Sequence, residues 1–220
     1  MAITPESVRD LLHSEDYGDR LRAVNQFREL ERAAAFELAQ LAANDGNARV
    51  RYAAISQLAH LGQHDVATIE PLLRRALTND PEADVQAAAA DAIGGLQLRS
   101  AYEDLAAVYH SSHEWLVQFS IVAALGELGE PQAFSLLQEA LESENELVTT
   151  AAIGALGELG DARAVPLLLN YTNHPDWQVR HRLVQALAQF SQPEAQAALT
   201  ALTQDSSTIV AEAAIQHLNR

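Results

Sequence analysis

Val148-Thr149-Thr150-Ala151-Ala152-Ile153-Gly154-Ala155-Leu156-Gly157-Glu158-Leu159-Gly160 is a phrase the chain keeps restating, with variations at residues 50–62, 85–97 and 117–129. Aliphatic anchors recur at Leu21, Val50, Val85, Val117, Val148, Val179 and Val210, with spacings of 29, 35, 32, 31, 31 and 31 residues. A period of this kind marks a repeat protein. Each unit is too small to bury its apolar face alone and must stack on its neighbours.

Within the phrase, the apolar residues fall at zero, four, eight and eleven from the anchor, as in Val117, Ile121, Leu125 and Leu128. That spacing follows one face of an α-helix. Small residues at plus three and plus seven, such as Ala88, Ala151, Ala124 and Ala155, allow a neighbouring helix to come close. Gly62, Gly129 and Gly160 end the phrase with a residue that closes a helix in the left-handed conformation without steric cost. A second helix follows, with Pro131 and Pro193 in its first turn and apolar stripes Phe134-Leu137-Leu141 and Val165-Leu168. Thr4-Pro5-Glu6 supplies a cap and a first-turn proline for the opening helix.

The expected fold is therefore all-α: an α-solenoid, or superhelix, of about seven HEAT-like helical hairpins forming one domain over residues 1–220. The period is shorter than the ~40–47 residues of ordinary HEAT and armadillo units, and the ankyrin and tetratricopeptide signatures are missing. The anchor helices are expected at 18–31, 47–61, 82–96, 113–128, 146–159, 177–190 and 207–219, lining a concave side. Arg22, Arg51 and Arg180 follow their anchors directly, with Asp19, Asp45 and Asp176 nearby. Such arginines are expected to bond across the turn of an adjacent repeat. Gln86, Gln118, Thr149 and Ala211 replace them elsewhere.

Apolar residues make up 48% of the chain but aromatics only 5%, which suits small side chains between closely packed helices. Cysteine is absent, so disulfides and cysteine chemistry are excluded. The net charge is −16, and all 14 basic residues are arginine. Nucleic acid is thus not an expected partner, because phosphate binding rests on clustered positive charge. Residues 100–162 hold no arginine against eleven acids, either a solvated rim or a face for a partner with exposed basic residues. No apolar run approaches the ~18 residues of a membrane span and no signal peptide opens the chain, so a cytoplasmic protein without membrane insertion is expected.

Once the buried stripe is removed, the anchor helix exposes minus two, plus two and plus six, successive turns of one ridge. The units differ there. Trp115 and Trp177 stand at minus two, Tyr52, Phe119 and His181 at plus two, and Asp91 and Gln185 at plus six. The two tryptophans either cap the core between repeats or act as contact anchors, since tryptophan and tyrosine dominate binding energy at interfaces. No enzyme constellation emerges. His110 and His113 lack a third ligand at helical spacing, and no glycine-rich phosphate loop follows a strand. The candidate partner-binding residues are Tyr52, Asp91, Trp115, Phe119, Trp177 and His181, with no catalytic and no metal residues.

Val50-Arg51-Tyr52-Ala53-Ala54-Ile55, Ala124-Leu125-Gly126-Glu127-Leu128-Gly129 and Gly160-Asp161-Ala162-Arg163-Ala164-Val165-Pro166-Leu167-Leu168 resemble the HEAT-like repeats of the phycobilin lyase (E/F-type) family. Residues 4–8, 79–92 and 114–129 extend the resemblance over all seven units, toward members of that family that act in phycobilisome degradation. The resemblance implies a factor, cytoplasmic and phycobilisome-associated, that binds phycobiliprotein subunits and other antenna-disassembly factors under nutrient starvation and assists bilin detachment. It also implies a heterodimer with a related repeat protein. No cofactor is required, and bilin (phycocyanobilin) enters as a transient ligand. A lyase subunit acting on the bilin–cysteine thioether and a generic protein–protein scaffold are the alternatives. The resemblance transfers no catalytic residue.

Overall fold

A computed structural model describes residues 2–219, apart from the side chain of His64. Among the described residues the secondary structure is fourteen α-helices with short 3-10 turns and no strand. They pair as α1 (Pro5–Leu12) with α2 (Tyr17–Asn25), α3 (Arg32–Ala42) with α4 (Ala48–Leu61), and α5 (Val66–Asn79) with α6 (Ala83–Gly95). Then follow α7 (Tyr102–Ser111) with α8 (Trp115–Leu128), α9 (Phe134–Ala140) with α10 (Glu146–Leu159), α11 (Ala164–Leu168) with α12 (Trp177–Leu187), and α13 (Pro193–Leu202) with α14 (Thr208–Leu218). The fold class is an α-solenoid of helical hairpins. Two compact units divide the chain, Met1–Ile121 and Val122–Arg220. In the first, α2 packs on α4 and α4 on α6; in the second, α10 packs on α12 and α12 on α14.

Val50, Val85, Val117, Val148, Val179 and Val210 are buried, and so are Ile121, Leu125 and Leu128 along one stripe. The first anchor differs from the expectation. Leu21 is only half-buried, whereas Ala23, Val24 and Phe27 are fully buried, which places position zero of that unit at Asp19. The corrected spacing from Asp19 to Val50 is 31 residues, and Leu21 moves to the plus-two ridge position. Helix α2 ends at Asn25 and α12 at Leu187, so the expected helices at 18–31 and 177–190 were drawn too long.

The arginines confirm the new phase. Arg20, not Arg22, takes the bridging role: its Nε and Nη2 donate to Asp45 at 2.7 and 3.0 Å, and its Nη1 donates to the carbonyls of Ser14 and Glu15. Arg51 does the same with Asp80 at 2.7 and 2.8 Å and the carbonyls of Asp45 and Gly46. Arg180 repeats the pattern with Asp205 at 2.7 and 2.8 Å and the carbonyls of His174 and Pro175. Each guanidinium thus ties its own turn to the turn of the next repeat. Arg22 instead stays exposed and pairs with Asp19 three residues back, and Asp176 caps α12 rather than binding an arginine.

The aspartate of each bridge lies five residues before an anchor, where its side chain also accepts the N–H two residues on, as Asp45 does from Asn47 at 2.7 Å. Every unit keeps that second bond. Ser14, Ser112, Ser143 and His174 supply the acceptor where no arginine precedes. Asp therefore occurs at this place only when the preceding repeat carries the arginine, and Gln86, Gln118 and Thr149 bond to their own turns instead.

Gly129 and Gly160 close their helices at φ +63° and +67°, and Gln97 adopts φ +53° at the corresponding place. Gly62 does not: its φ is −79°, and it is needed because a Cβ there would lie 2.0 Å from Ile69 Cδ1. The earlier glycines of the phrase matter more to the packing. A Cβ on Gly126 would come within 2.7 Å of Ala155 Cα, and one on Gly157 within 2.6 Å of Ala186 Cα, so these positions let successive anchor helices touch through their backbones.

Candidate functional site

The ridge residues start from helix N-termini. In four units the side chain three before the anchor caps the helix, from Asp16, Asn47, Asn145 and Asp176; in α12 the Asp176 side chain accepts the Gln178 N–H at 2.8 Å. The next residue is the first of the helix. Trp115 and Trp177 occupy that place and lie outside the buried stripe, 44% and 40% exposed. Tyr17 holds the same place in the first unit at 45%. The Leu21 misphasing hid it from sequence reading, and the spacing of Arg20 and Arg51 was the signal that could have found it.

The first compact unit carries Tyr52, Asp91, Trp115 and Phe119 of the candidate residues, and the second carries Trp177 and His181. Tyr52 is 47% exposed on α4, while Phe119 and His181 are half-buried one turn beyond their tryptophans. Both tryptophans are thus partly in water and partly against protein.

Asp91 lies on the surface of α6, yet its carboxyl is crowded by protein: burial pushes its pKa up, and a hydrogen bond from the Ser120 hydroxyl partly opposes that. Ser120 is buried, standing where Ala53, Ala88 and Ala151 stand in other units. Asp91 is thus held by the next repeat, and its shift reflects crowding at a junction. An isolated carboxyl of this kind does not make an acid–base pair.

On the second unit, Arg182 lies at plus three, a place read from the sequence as small. Gly154 of the preceding anchor helix makes room for it; a Cβ there would meet the Arg182 Cδ at 3.2 Å. Burial pushes the Glu158 carboxyl up, and the Arg182 charge pulls it back. Arg182 therefore presents its exposed guanidinium toward Gly154 and Glu158 of the preceding anchor helix. Arg51 and Arg180 are not exposed in this way, because their donors are engaged between turns.

A cleft of about 710 Å³ opens on the second unit against His174, Arg180, Gln204, Asp205 and Ser206. It lies at the bridge between turns and contains none of the ridge residues. Among the described residues no group of three or more His, Asp or Glu could hold a metal ion, and no helix is long and apolar enough to cross a membrane.

A family model for HEAT repeats matches residues 69–156 and 136–219. No curated protein matches the sequence. Among solved structures, the complex of CpcE and CpcF of phycocyanin lyase from Nostoc sp. PCC7120 is similar at 22% identity and a TM-score of 0.65, over 100% of this chain and 95% of that one. YibA of Escherichia coli is similar at 18% identity and a TM-score of 0.68, over 98% and 81%. An archaeal HEAT-like repeats protein from Thermococcus onnurineus is similar at 13% identity and a TM-score of 0.57, over 100% and 97%. At these identities the likeness is one of fold.

Proposed function

Because the chain belongs to the HEAT-repeat family, whose stacked hairpins offer extended surfaces to partners, we propose that residues 1–220 act as one array that binds phycobiliproteins and assists disassembly and degradation of the light-harvesting antenna. The observation that carries this reading is the half-exposed tryptophan at the start of α8 and of α12, in a chain with only two tryptophans. Large aromatic residues left in water at matching places in separate repeats are suited to anchoring a partner. The antenna assignment rests on the resemblance of residues 4–8, 79–92 and 114–129 to NblB, the cyanobacterial phycobilisome degradation protein. In this reading the protein works in the cytoplasm at the phycobilisome during nutrient starvation. Trp115→Ala with Trp177→Ala should retain the helical circular dichroism of the parent and lose capture of purified phycobiliprotein. Unchanged capture would remove the tryptophans from the site.

A second reading is a bilin lyase subunit paired with a related repeat protein. The likeness to the CpcE–CpcF complex supports it. A bilin carries propionates and a long π-system, and phycocyanobilin would be held by the imidazole of His181 and the ring of Trp177, four residues apart on α12. Mixing the protein, alone and with a related repeat protein, with a chromophorylated subunit should then change the bilin absorbance. A constant spectrum despite demonstrated binding would leave the adaptor reading alone standing.

A further inference from the structure

The arginine–aspartate bridge joins turns at three junctions, and the helix leading to each aspartate packs in the same phase. Its buried residues are Ala35, Ala39 and Ala42 on α3, Ile69, Leu73 and Ala76 on α5, and Ala195, Leu199 and Leu202 on α13. Leu41, Arg75 and Ala201 are therefore equivalent, each directly before the last of those buried residues. Leu72 and Ala198 correspond in the same way, one turn earlier on α5 and α13. Asn44 and Asn173 also match, each seven residues before its bridging arginine, Arg51 or Arg180.

In the first unit this place is occupied from within the chain. Arg75 reaches from α5 to the turn before α4, where its Nη2 donates to the side-chain oxygen of Asn44 at 2.5 Å. A cleft of about 240 Å³ remains there beside Arg51 and Asp80. At the matching junction of the second unit Ala198 and Ala201 stand in place of Leu72 and Arg75, and the cleft beside Arg180 and Asp205 opens to about 710 Å³. The side-chain amides of Asn173 and Gln204 line it. They make only long contacts, 3.5 and 3.4 Å, to the threonines beside them, and among the described residues neither amide oxygen accepts a hydrogen bond.

The first unit thus shows what chemistry such a cleft accepts. A guanidinium sits beside the bridge there, its stem along the helix and one N–H on a neutral amide oxygen. The field of the second unit favours a cation as well, since residues 122–220 hold twelve acids against four arginines. We propose that the open cleft of the second unit receives an arginine side chain of a partner protein, its stem on Ala198 and Ala201 and its guanidinium donating to the side-chain oxygen of Asn173, with Gln204 as a further acceptor. Arginine suits the place better than lysine, because its planar fork of donors is more weakly hydrated than an ammonium and gives up water more readily. The inference goes beyond the ridge and rests neither on its tryptophans nor on the antenna assignment.

The test is an NMR titration of the isotopically labelled full chain with a short blocked peptide that carries one arginine between alanines. The side-chain amide signals of Asn173 and Gln204 should move and saturate. Citrulline in place of arginine keeps the shape and removes the charge, and it should weaken binding about tenfold, as should lysine. Ala201→Arg should supply the side chain from within, as in the first unit, and abolish these shifts while the circular dichroism stays that of the parent. Leu72→Ala with Arg75→Ala should open the first-unit cleft and bring the Asn44 amide signal into the response. The proposal is overturned if the Asn173 and Gln204 signals of the parent do not move, if the citrulline or lysine peptide binds as tightly as the arginine peptide, or if the Ala201→Arg variant binds like its parent. It is also overturned if sedimentation shows a dimer that Ala201→Arg dissolves, because an arginine of a second copy would then fill the cleft.

Discussion

Asp205→Ala isolates the bridge between turns. The substitution removes two charge-assisted hydrogen bonds from Arg180, at 2.7 and 2.8 Å, and the bond that Asp205 accepts from the Ser207 N–H at 2.8 Å. The side chains of Arg180 and Asp205 are only 11% and 6% exposed, so water cannot fully replace the lost partner. Deleting one member of a buried pair costs about 3–5 kcal/mol. Arg180 keeps its bonds to the carbonyls of His174 and Pro175, which puts the expected loss near the lower end, about 3 kcal/mol. Arg180→Met together with Asp205→Ala leaves no stranded charge and should recover about 1–2 kcal/mol of that loss.

The pH dependence has a definite sign. The hydrogen bond from Arg180 holds the Asp205 carboxyl below the usual carboxylate range, against burial, which acts the other way. Its folded pKa is therefore below the unfolded value of about 3.9. The stabilisation is fully present above that value and disappears as pH falls through the folded pKa. Urea unfolding followed by circular dichroism should show a gap between parent and variant that is constant near neutrality and narrows below about pH 4. A loss under about 1 kcal/mol at pH 7, well short of the cost for a buried pair, or a gap that widens toward low pH, would refute the reasoning.

Gly126→Ala and Gly157→Ala should each cost about 1–3 kcal/mol in urea unfolding, because the new methyl meets backbone at 2.7 and 2.6 Å. Gly154→Ala meets only the flexible Arg182 side chain at 3.2 Å and should be neutral or stabilising, since alanine favours the helix by about 1 kcal/mol. Gln86→Arg alone should destabilise, and adding Ser112→Asp should restore the loss with a coupling of about 1–2 kcal/mol in a double-mutant cycle; a coupling near zero would show that the bridge does not transfer between junctions. Asp91→Asn should not lower the melting temperature at pH 7. Burial raises the Asp91 pKa, so its ionised form works against folding at neutrality and that cost vanishes as pH falls through the raised value; calorimetry at pH 7 and near pH 4 checks both ends.

Seven hairpins were legible in the sequence because burial on a helix repeats every three to four residues, and Val50 through Val210 follow that rhythm. The first unit was misphased because apolar character stood in for burial. Leu21 is apolar on the ridge, and Asp19 is polar at the anchor position, where it accepts a hydrogen bond from Ser14 at 3.1 Å. Pairing each arginine with an aspartate five residues before the next anchor would have fixed the phase and brought Tyr17 into view. The exposure of Trp115 and Trp177 followed from phase alone. Contacts across repeats did not. Ser120 reaches Asp91, and Arg182 lies over Gly154, because plus three of one anchor helix meets plus six of the one before it, an adjacency set by stacking and invisible in a single helix.

The central claim is tested most directly by titrating purified phycobiliprotein into the full chain and into the Trp115→Ala, Trp177→Ala double variant, with binding followed by calorimetry. The account predicts saturable binding by the parent and a loss of at least thirtyfold in the double variant, as expected when truncating an interface tryptophan costs about 2 kcal/mol or more. Equal affinity for both proteins, or no binding to either, would contradict it.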